Sequence, residues 1–96
     1  MPYRYYILTT HEGIESVKEY FGNKGFDINS NRRRYCSDHF DLPGVTIYIN
    51  IRDEKGLVNN IVEFESDEGN MEKLEEIAKA MQAVKVQDTF MNPIKF

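Results

Sequence analysis

The segment VTIYINIR, residues 45–52, constrains the fold more than any other stretch, because its apolar side chains recur at every second position. Those side chains are Val45, Ile47, Ile49 and Ile51. Successive side chains of a β-strand point to opposite faces, so this alternation predicts a strand with one face in the core and one face in water. On this reading, Tyr48 belongs to the exposed face.

The DEKG loop at 53–56 predicts a hairpin that returns as a second strand over residues 57–65. Pairing across four loop residues sets the register. The predicted pairs are Val45 with Phe64, Ile47 with Val62, and Ile51 with Val58. Glu63 and Glu65 then lie on the exposed face beside Tyr48, where we expect solvated charges rather than a catalytic pair.

The LPGV sequence at 42–45 predicts a type II turn, which folds the preceding residues back along the same strand. If residues 33–40 form that strand, Cys36 faces the core and His39 faces outward with Tyr48. A thiol and an imidazole on opposite sides cannot form a nucleophilic pair. If the segment is a loop or helix, the three-residue spacing could bring Cys36 and His39 together.

The remaining elements have weaker signals. Residues 3–10, YRYYILTT, predict a first strand, and Thr9 with Glu12 forms a capping-box pattern for a helix that ends near Gly22. A second helix is predicted from apolar residues at helical spacing, with Asn70 or Asp67 as its N-cap. Those apolar residues are Met71, Leu74, Ile77, Ala78 and Met81. A final short strand over residues 84–90 is possible.

These elements predict a single α+β domain over residues 1–96, with two helices on one face of an antiparallel sheet. The first choice is a ferredoxin-like order, β-α-β-β-α-β. The alternative, in which residues 33–40 are also a strand, is a βαβββ module followed by a C-terminal helix.

The alternative order resembles one module of the vicinal-oxygen-chelate proteins, such as the glyoxalases, over about residues 3–65. The resemblance is one of topology alone. That family takes a metal ligand from a histidine on the first strand, and YRYYILTT contains none. Glu63 or Glu65 matches only the later glutamate of the family, so the resemblance implies no activity here.

Charge is divided unevenly along the chain, whose net charge is -4. Residues 1–52 carry a net charge of +1, and residues 53–96 carry -5. Within the second part, a run of acidic residues is opposed only by Lys73. We call this run the acidic strip; its members are Glu63, Glu65, Asp67, Glu68, Glu72, Glu75 and Glu76. Such a strip repels phosphate backbones and attracts basic protein surfaces.

The sequence favours a cytoplasmic protein without a cofactor. It has one cysteine, no secretion leader and no apolar run of the ~20 residues that span a bilayer. Cys36, His11 and His39 are too few and too scattered for a structural metal site. We therefore expect no membrane partner and no metal.

The predicted function is that of a small non-enzymatic regulatory or inhibitory protein that binds a protein partner through charged and aromatic patches. The alternative is a module that binds RNA or single-stranded nucleic acid through an arginine cluster and sheet aromatics. An open sheet edge could also form a homodimer by strand addition. The candidate binding residues are Arg32, Arg33, Arg34, Tyr35, His39, Tyr48, Glu63, Glu65, Glu72, Glu75 and Glu76.

Overall fold

Two helices pack on one face of a five-stranded antiparallel sheet in the part of the chain that the structure describes. This computed structural model describes residues 3–25, 36, 38–53, 56–57 and 60–96. The strands are β1 (Tyr3–Leu8), β2 (Asp38–Leu42), β3 (Val45–Ile49), β4 (Arg52–Asp53), β5 (Gly56–Leu57), β6 (Ile61–Ser66) and β7 (Lys85–Asp88). The helices are α1 (His11–Asn23), which follows β1, and α2 (Met71–Ala80), which follows β6.

The main sheet has the order β2-β3-β6-β1-β7, and β4 pairs with β5 as a separate two-stranded ribbon. The predicted α+β class, with an antiparallel sheet and two helices, is confirmed. The exact ferredoxin-like order is not matched, because β2 adds a fifth strand beside β3. The alternative order included a strand before the LPGV turn, but it lacked β7.

The register between β3 and β6 differs from the predicted one by two residues. Val45 lies opposite Ser66, and Ile47 lies opposite Phe64. A shift of two residues leaves every side chain on its predicted face, because the side-chain period of a strand is also two. The Ile51–Val58 pairing lies outside the described residues.

Two asparagines mark the place where the long strands end. Asn50 and Asn60 both have left-handed backbones, with φ of 55° and 67°. The side-chain oxygen of Asn50 accepts a hydrogen bond from the Asn60 backbone N–H at 2.9 Å. Asparagine tolerates this conformation better than most residues, so the pair ends β3 earlier than the alternation alone predicts.

The core lies between the helices and the apolar face of the sheet. It contains the alternating residues of β3, together with Phe40, Phe64 and Ile7 from the neighbouring strands. The helices contribute Ile14, Val17, Phe21, Leu74, Ile77, Ala78 and Met81. Met71, the first residue of α2, was predicted to belong to this stripe but is 42% exposed.

Tyr48 and His39 are buried, which contradicts their predicted exposure. Only 4% of Tyr48 and 1% of His39 is accessible to solvent. Their predicted faces are correct, because His39 pairs with Tyr48 and both have the opposite parity to Phe40 and Ile47. The alternation identified the side of the sheet on which each residue lies, but not whether that side is in water.

The N-terminus of α1 is capped by Thr10 and not by Thr9. The Thr10 hydroxyl accepts a hydrogen bond from the Gly13 N–H at 3.1 Å. Thr9 instead donates its hydroxyl to the carbonyl oxygen of Met81 at 2.7 Å. The predicted capping box is therefore wrong, because its threonine bonds the end of the other helix.

Helix α2 begins at Met71, and Asn70 is its N-cap residue, which was one of the two predicted alternatives. Asn70, however, makes no capping hydrogen bond with its side chain. Its φ is 46°, and its side-chain amide donates to the Ser66 hydroxyl at 2.7 Å. The Ser66 hydroxyl also accepts from the Glu68 N–H at 3.2 Å. These bonds link the end of β6 to the start of α2.

The carboxylate of Glu76 ties the two helices together. It accepts hydrogen bonds from the Tyr20 hydroxyl and from the ammonium groups of Lys24, at 3.0 Å, and Lys73, at 2.9 Å. These donors, with Tyr20 first, lower the pKa of Glu76 to about 2. The carboxylate is therefore ionised at neutral pH.

Neither described helix is long and apolar enough to cross a bilayer.

Replacing Gly13 by alanine should destabilise the protein. A Cβ at Gly13 would lie 1.9 Å from the Thr9 hydroxyl oxygen and 2.2 Å from the Met81 carbonyl oxygen. Since the second atom belongs to the backbone, the helices must separate, and we expect a loss of about 2 kcal/mol or more in the free energy of unfolding. Urea denaturation measures this loss.

The matched control is Gly22→Ala in the same helix, where an added Cβ meets nothing within 4 Å. Helix propensity alone should then stabilise the protein by up to ~1 kcal/mol. Equal effects of the two substitutions would contradict the close contact at Gly13.

Glu76→Gln should lower stability at neutral pH but not in strong acid. The pKa of Glu76 is lower in the folded protein than its ordinary value of 4.5, so its ionised form stabilises the fold above that pH. This stabilisation is lost as the pH falls toward about 2. We expect Glu76→Gln to cost about 1 to 2 kcal/mol at pH 7, after allowance for solvent screening.

Chemical denaturation of wild type and variant between pH 2 and 7 measures this difference. Glu75→Gln is the control, because Lys79, one turn away at 3.1 Å, is the ion-pair partner of Glu75 among the described residues. That pair should contribute about 0.3 to 0.5 kcal/mol. A pH-independent loss in Glu76→Gln would show that ionisation is not its source.

Candidate functional site

The structure describes the surroundings of seven of the eleven predicted binding residues. Arg32, Arg33, Arg34 and Tyr35 lie outside the described residues, so the arginine cluster stays a prediction. His39, Tyr48, Glu63 and Glu65 lie on the sheet face opposite the helices. Glu72, Glu75 and Glu76 lie on α2.

The sheet face opposite the helices carries a row of polar and aromatic side chains that crosses all five strands. Direct pairing joins His39 to Tyr48, Tyr48 to Glu63, Glu63 to Tyr6, and Tyr6 to Gln87. Directly opposed residues have Cβ atoms about 4.5 to 5.5 Å apart, so each member contacts the next. Sequence reasoning had placed three of these residues on one face, and only the register between strands shows that they form a row.

His39 is an interior residue of this row and not a displayed contact. Neither ring nitrogen has a hydrogen-bond partner in the part of the chain that the structure describes, although the Asp41 carboxylate lies 3.3 Å from Nε2. The Tyr48 ring is tilted beside the imidazole at 6.3 Å between centroids. Docking through His39 or Tyr48 would first require their exposure.

Glu63 and Glu65 differ although they are two residues apart on β6. Burial raises the pKa of Glu63, with Arg4 acting in the opposite direction. The pKa of Tyr6, which lies directly opposite, is raised as well, first by burial and then by the Glu63 carboxylate. Glu65 instead pairs with the exposed guanidinium of Arg4 at 3.3 Å. Glu63 is thus a half-buried charge, whereas Glu65 belongs to a surface ion pair.

The acidic strip is not one surface. Its first two members lie on the sheet face away from the helices, and its last three lie on α2, which packs on the other face. Glu76 is occupied by Tyr20 and two lysines, and Glu75 contacts Lys79. Glu72 is exposed. Continuity in sequence therefore does not become continuity in space.

Among the described residues, no group of three histidine, cysteine, aspartate or glutamate side chains is placed to hold a metal ion.

The turn after β7 displays two large apolar side chains, which the sequence analysis did not identify. Phe90 is 83% exposed and Met91 is 74% exposed. The Asp88 carboxylate accepts hydrogen bonds from the backbone N–H groups of Phe90, at 2.8 Å, and Asn92, at 2.9 Å. We call residues 88–92 the apolar turn.

Backbone bonds close the apolar turn and attach the following residues to the sheet. Asp88 and Asn92 are joined by an N–H to carbonyl bond of 3.0 Å, and Met91 has a φ of 65°. Pro93 then pairs with Gln87, and the Ile94 N–H donates to the Val86 carbonyl at 2.8 Å. The residues that follow the turn thus run beside β7, where Pro93 offers no donor for a further strand.

A shallow groove of about 460 Å³ lies between the end of α2 and the residues beside β7. We call it the C-terminal groove; it is lined by Ala78, Lys79, Gln82, Ala83, Val84, Lys85, Val86, Ile94 and Phe96. Val84 and Phe96 remain largely exposed at 74% and 54%. Its lining combines apolar side chains with one amide and two lysines.

A signal for the apolar turn was present in the sequence. Phe90 and Met91 stand between Asp88 and Asn92-Pro93, which are residue types that form turns. Two large apolar residues inside such a turn have no strand neighbours to bury them. The C-terminal groove had no local signal, because its walls come from α2, β7 and the last residues.

The substitution Glu63→Gln should raise the free energy of unfolding at neutral pH more than it does in acid. The pKa of Glu63 is raised on folding, so the native state holds its proton more tightly than the unfolded chain. Stability is then lost as the pH rises through the interval between the ordinary and raised values. An uncharged amide escapes this loss, and thermal melting at pH 4 and pH 7 measures the difference between wild type and variant.

Glu65→Gln is the matched control on the same strand and face. Removing its partly exposed ion pair with Arg4 should cost about 0.2 to 1 kcal/mol at pH 7. If Glu63→Gln is as destabilising as Glu65→Gln at neutral pH, burial of the ionised Glu63 carboxylate does not cost stability.

Comparisons of the chain with protein-family models, with curated proteins and with solved structures gave no match. Any function assigned to it must therefore be argued from its own surfaces.

Proposed function

We propose that this chain is a small non-enzymatic protein that binds a protein partner, with a regulatory or inhibitory effect, and that the apolar turn is its main contact. The observation that carries this proposal is the exposure of Phe90 and Met91 on a turn held by hydrogen bonds. The sequence analysis predicted charged and aromatic patches as the contact surface, and the apolar turn adds an apolar anchor to them.

The energetics favour an anchor of this kind. Burying a phenylalanine or methionine side chain at an interface gains about 1.5 to 3 kcal/mol. A turn already closed by Asp88 loses little conformational freedom when it docks, so more of that gain is retained. Rigid aromatic side chains are frequent anchors of protein interfaces for this reason.

The charged patches have a supporting part in this proposal. Glu72 is exposed on α2, and Glu75 beside it is only partly neutralised by the exposed Lys79. Exposed charges of this kind steer association and orient partners more than they add affinity. Glu76 is not assigned such a part, because it binds Tyr20 and two lysines of its own chain.

A protein partner is favoured over nucleic acid by the sheet face opposite the helices. Base stacking there would need an accessible aromatic platform, but Tyr48 is buried. Glu63 and Glu65 lie on the same face and would repel phosphates. The arginine cluster at 32–34 is the remaining support for nucleic-acid binding.

The test is affinity capture with tagged wild type and with the double substitution Phe90→Ser and Met91→Asn, in nuclease-treated lysate. Asparagine suits the left-handed backbone at Met91, so the turn should persist. We expect wild type to recover a stoichiometric protein that the double variant loses by at least tenfold.

The matched control is Met71→Ser, which removes another exposed apolar side chain away from the turn. It should retain the captured protein. Retention by the double variant, or the recovery of no stoichiometric protein by wild type, would rule out the proposed contact.

A further inference from the structure

The C-terminal groove has the chemistry of a receptor for an apolar side chain with a negative charge beside it. Its walls include Ala78, Ala83, Val86 and Ile94, and Lys79 and Lys85 stand at its margin. Lys79 contacts Glu75 at 3.1 Å, whereas no ion pair of Lys85 with another described residue occurs. A groove of about 460 Å³ is of the size that accepts aromatic groups.

The apolar turn has the complementary chemistry. It displays Phe90 and Met91, and the Asp88 carboxylate lies at its base. Hydrogen bonds from Asn92 and Phe90 lower the pKa of Asp88, so this charge persists at neutral pH. The turn and the groove are therefore complementary. The apolar side chains of the turn suit the apolar walls of the groove, and the Asp88 carboxylate suits the lysines at its margin.

The turn does not fill the groove of its own chain. Phe90 is 83% exposed, and neither it nor Met91 lines the groove. Lys85 and Asp88 are at opposite ends of β7, which separates the two features by about 10 Å along the strand. The residues that follow the turn pair with β7 and so hold the two features apart.

We propose that the occupant of the C-terminal groove is the apolar turn of a second copy of this chain. This inference rests on the proposed function, because it assigns a partner to the same turn. Phe90 of one copy enters the groove between α2 and β7 of the next, and Asp88 of the first approaches Lys85 of the second. The sheet edges need not pair, since Pro93 covers β7.

A turn that enters a groove is compatible with two assemblies. In a two-fold dimer each copy places its turn in the groove of the other, whereas a head-to-tail contact leaves one turn and one groove free and continues to a ring or a chain. An unrelated protein that offers a similar groove would compete with this assembly for the same turn.

The first measurement is sedimentation velocity of the wild-type chain at concentrations from about 10 μM to ~1 mM, a range that detects millimolar self-association. We expect the mean mass to rise with concentration. A single monomeric species at the highest concentration overturns the inference.

The decisive measurement mixes two variants that are each defective in one half of the contact. Phe90→Ser with Met91→Asn removes the two apolar side chains of the turn and keeps the groove, whereas Val84→Glu with Lys85→Glu blocks the groove and keeps those side chains. All four positions are exposed, so both variants should fold, which circular dichroism checks. Lys85→Glu alone replaces the groove variant if the double substitution unfolds.

Each variant alone should be monomeric, and their equimolar mixture should form a heterodimer and nothing larger. Self-association that persists in either variant, or a mixture that stays monomeric, overturns the assigned contact. The proposed function fails separately, when wild type self-associates but captures no other protein. If a different protein is captured while wild type stays monomeric at ~1 mM, the proposed function stands and this inference fails.

Discussion

Burial of the apolar face of the sheet beneath two helices is the constraint on which the other features of this chain depend. The residues that β3 buries, together with Phe40 and Phe64, need a cover that α1 and α2 supply. The helices can cover them only by meeting closely, and they do so where Gly13 approaches the end of α2. Glycine lowers helix propensity, but here it allows two backbones to touch.

Polar contacts then fix the helices in place rather than drive their packing. Thr9 bonds the carbonyl at the end of α2, and Glu76 collects a tyrosine and two lysines between the helices. Both contacts join residues far apart in the chain. The sequence analysis counted Glu76 as part of a free acidic strip, but its carboxylate is bound within the fold. This reduces the acidic surface that a partner could contact.

The two faces of the sheet have different characters, and neither is a simple polar surface. The helix-covered face is apolar except at its margins, where Asp38 and Ser66 lie, whereas the other face carries the row from His39 to Gln87, in which a histidine, two tyrosines and a glutamate are wholly or partly removed from water. Four exposed apolar side chains lie at the apolar turn and at the margin of the C-terminal groove, whereas Met71 is exposed at the start of α2. Our functional proposals therefore depend on the end of the chain and not on the sheet.

The sequence by itself determined the class of the fold, because the periods of strands and helices are local properties of the chain. It placed β3, both helices and the faces of His39, Tyr48, Glu63 and Glu65, and a register error of two residues did not disturb those faces. It also identified the turn before Val45. It failed where one residue had two possible partners, as for Thr9, which bonds Met81 rather than capping its own helix.

Only the tertiary structure decided which surfaces exist. Alternation gives the face of Tyr48, but its burial depends on what packs against that face. The acidic strip is continuous in sequence but not in space. Its members on β6 point to the sheet face away from the helices, whereas those on α2 lie on the other side of the sheet. The C-terminal groove has walls from three segments, so no window of sequence contains it. Exposure and concavity are properties of distant parts brought together, and local patterns cannot encode them.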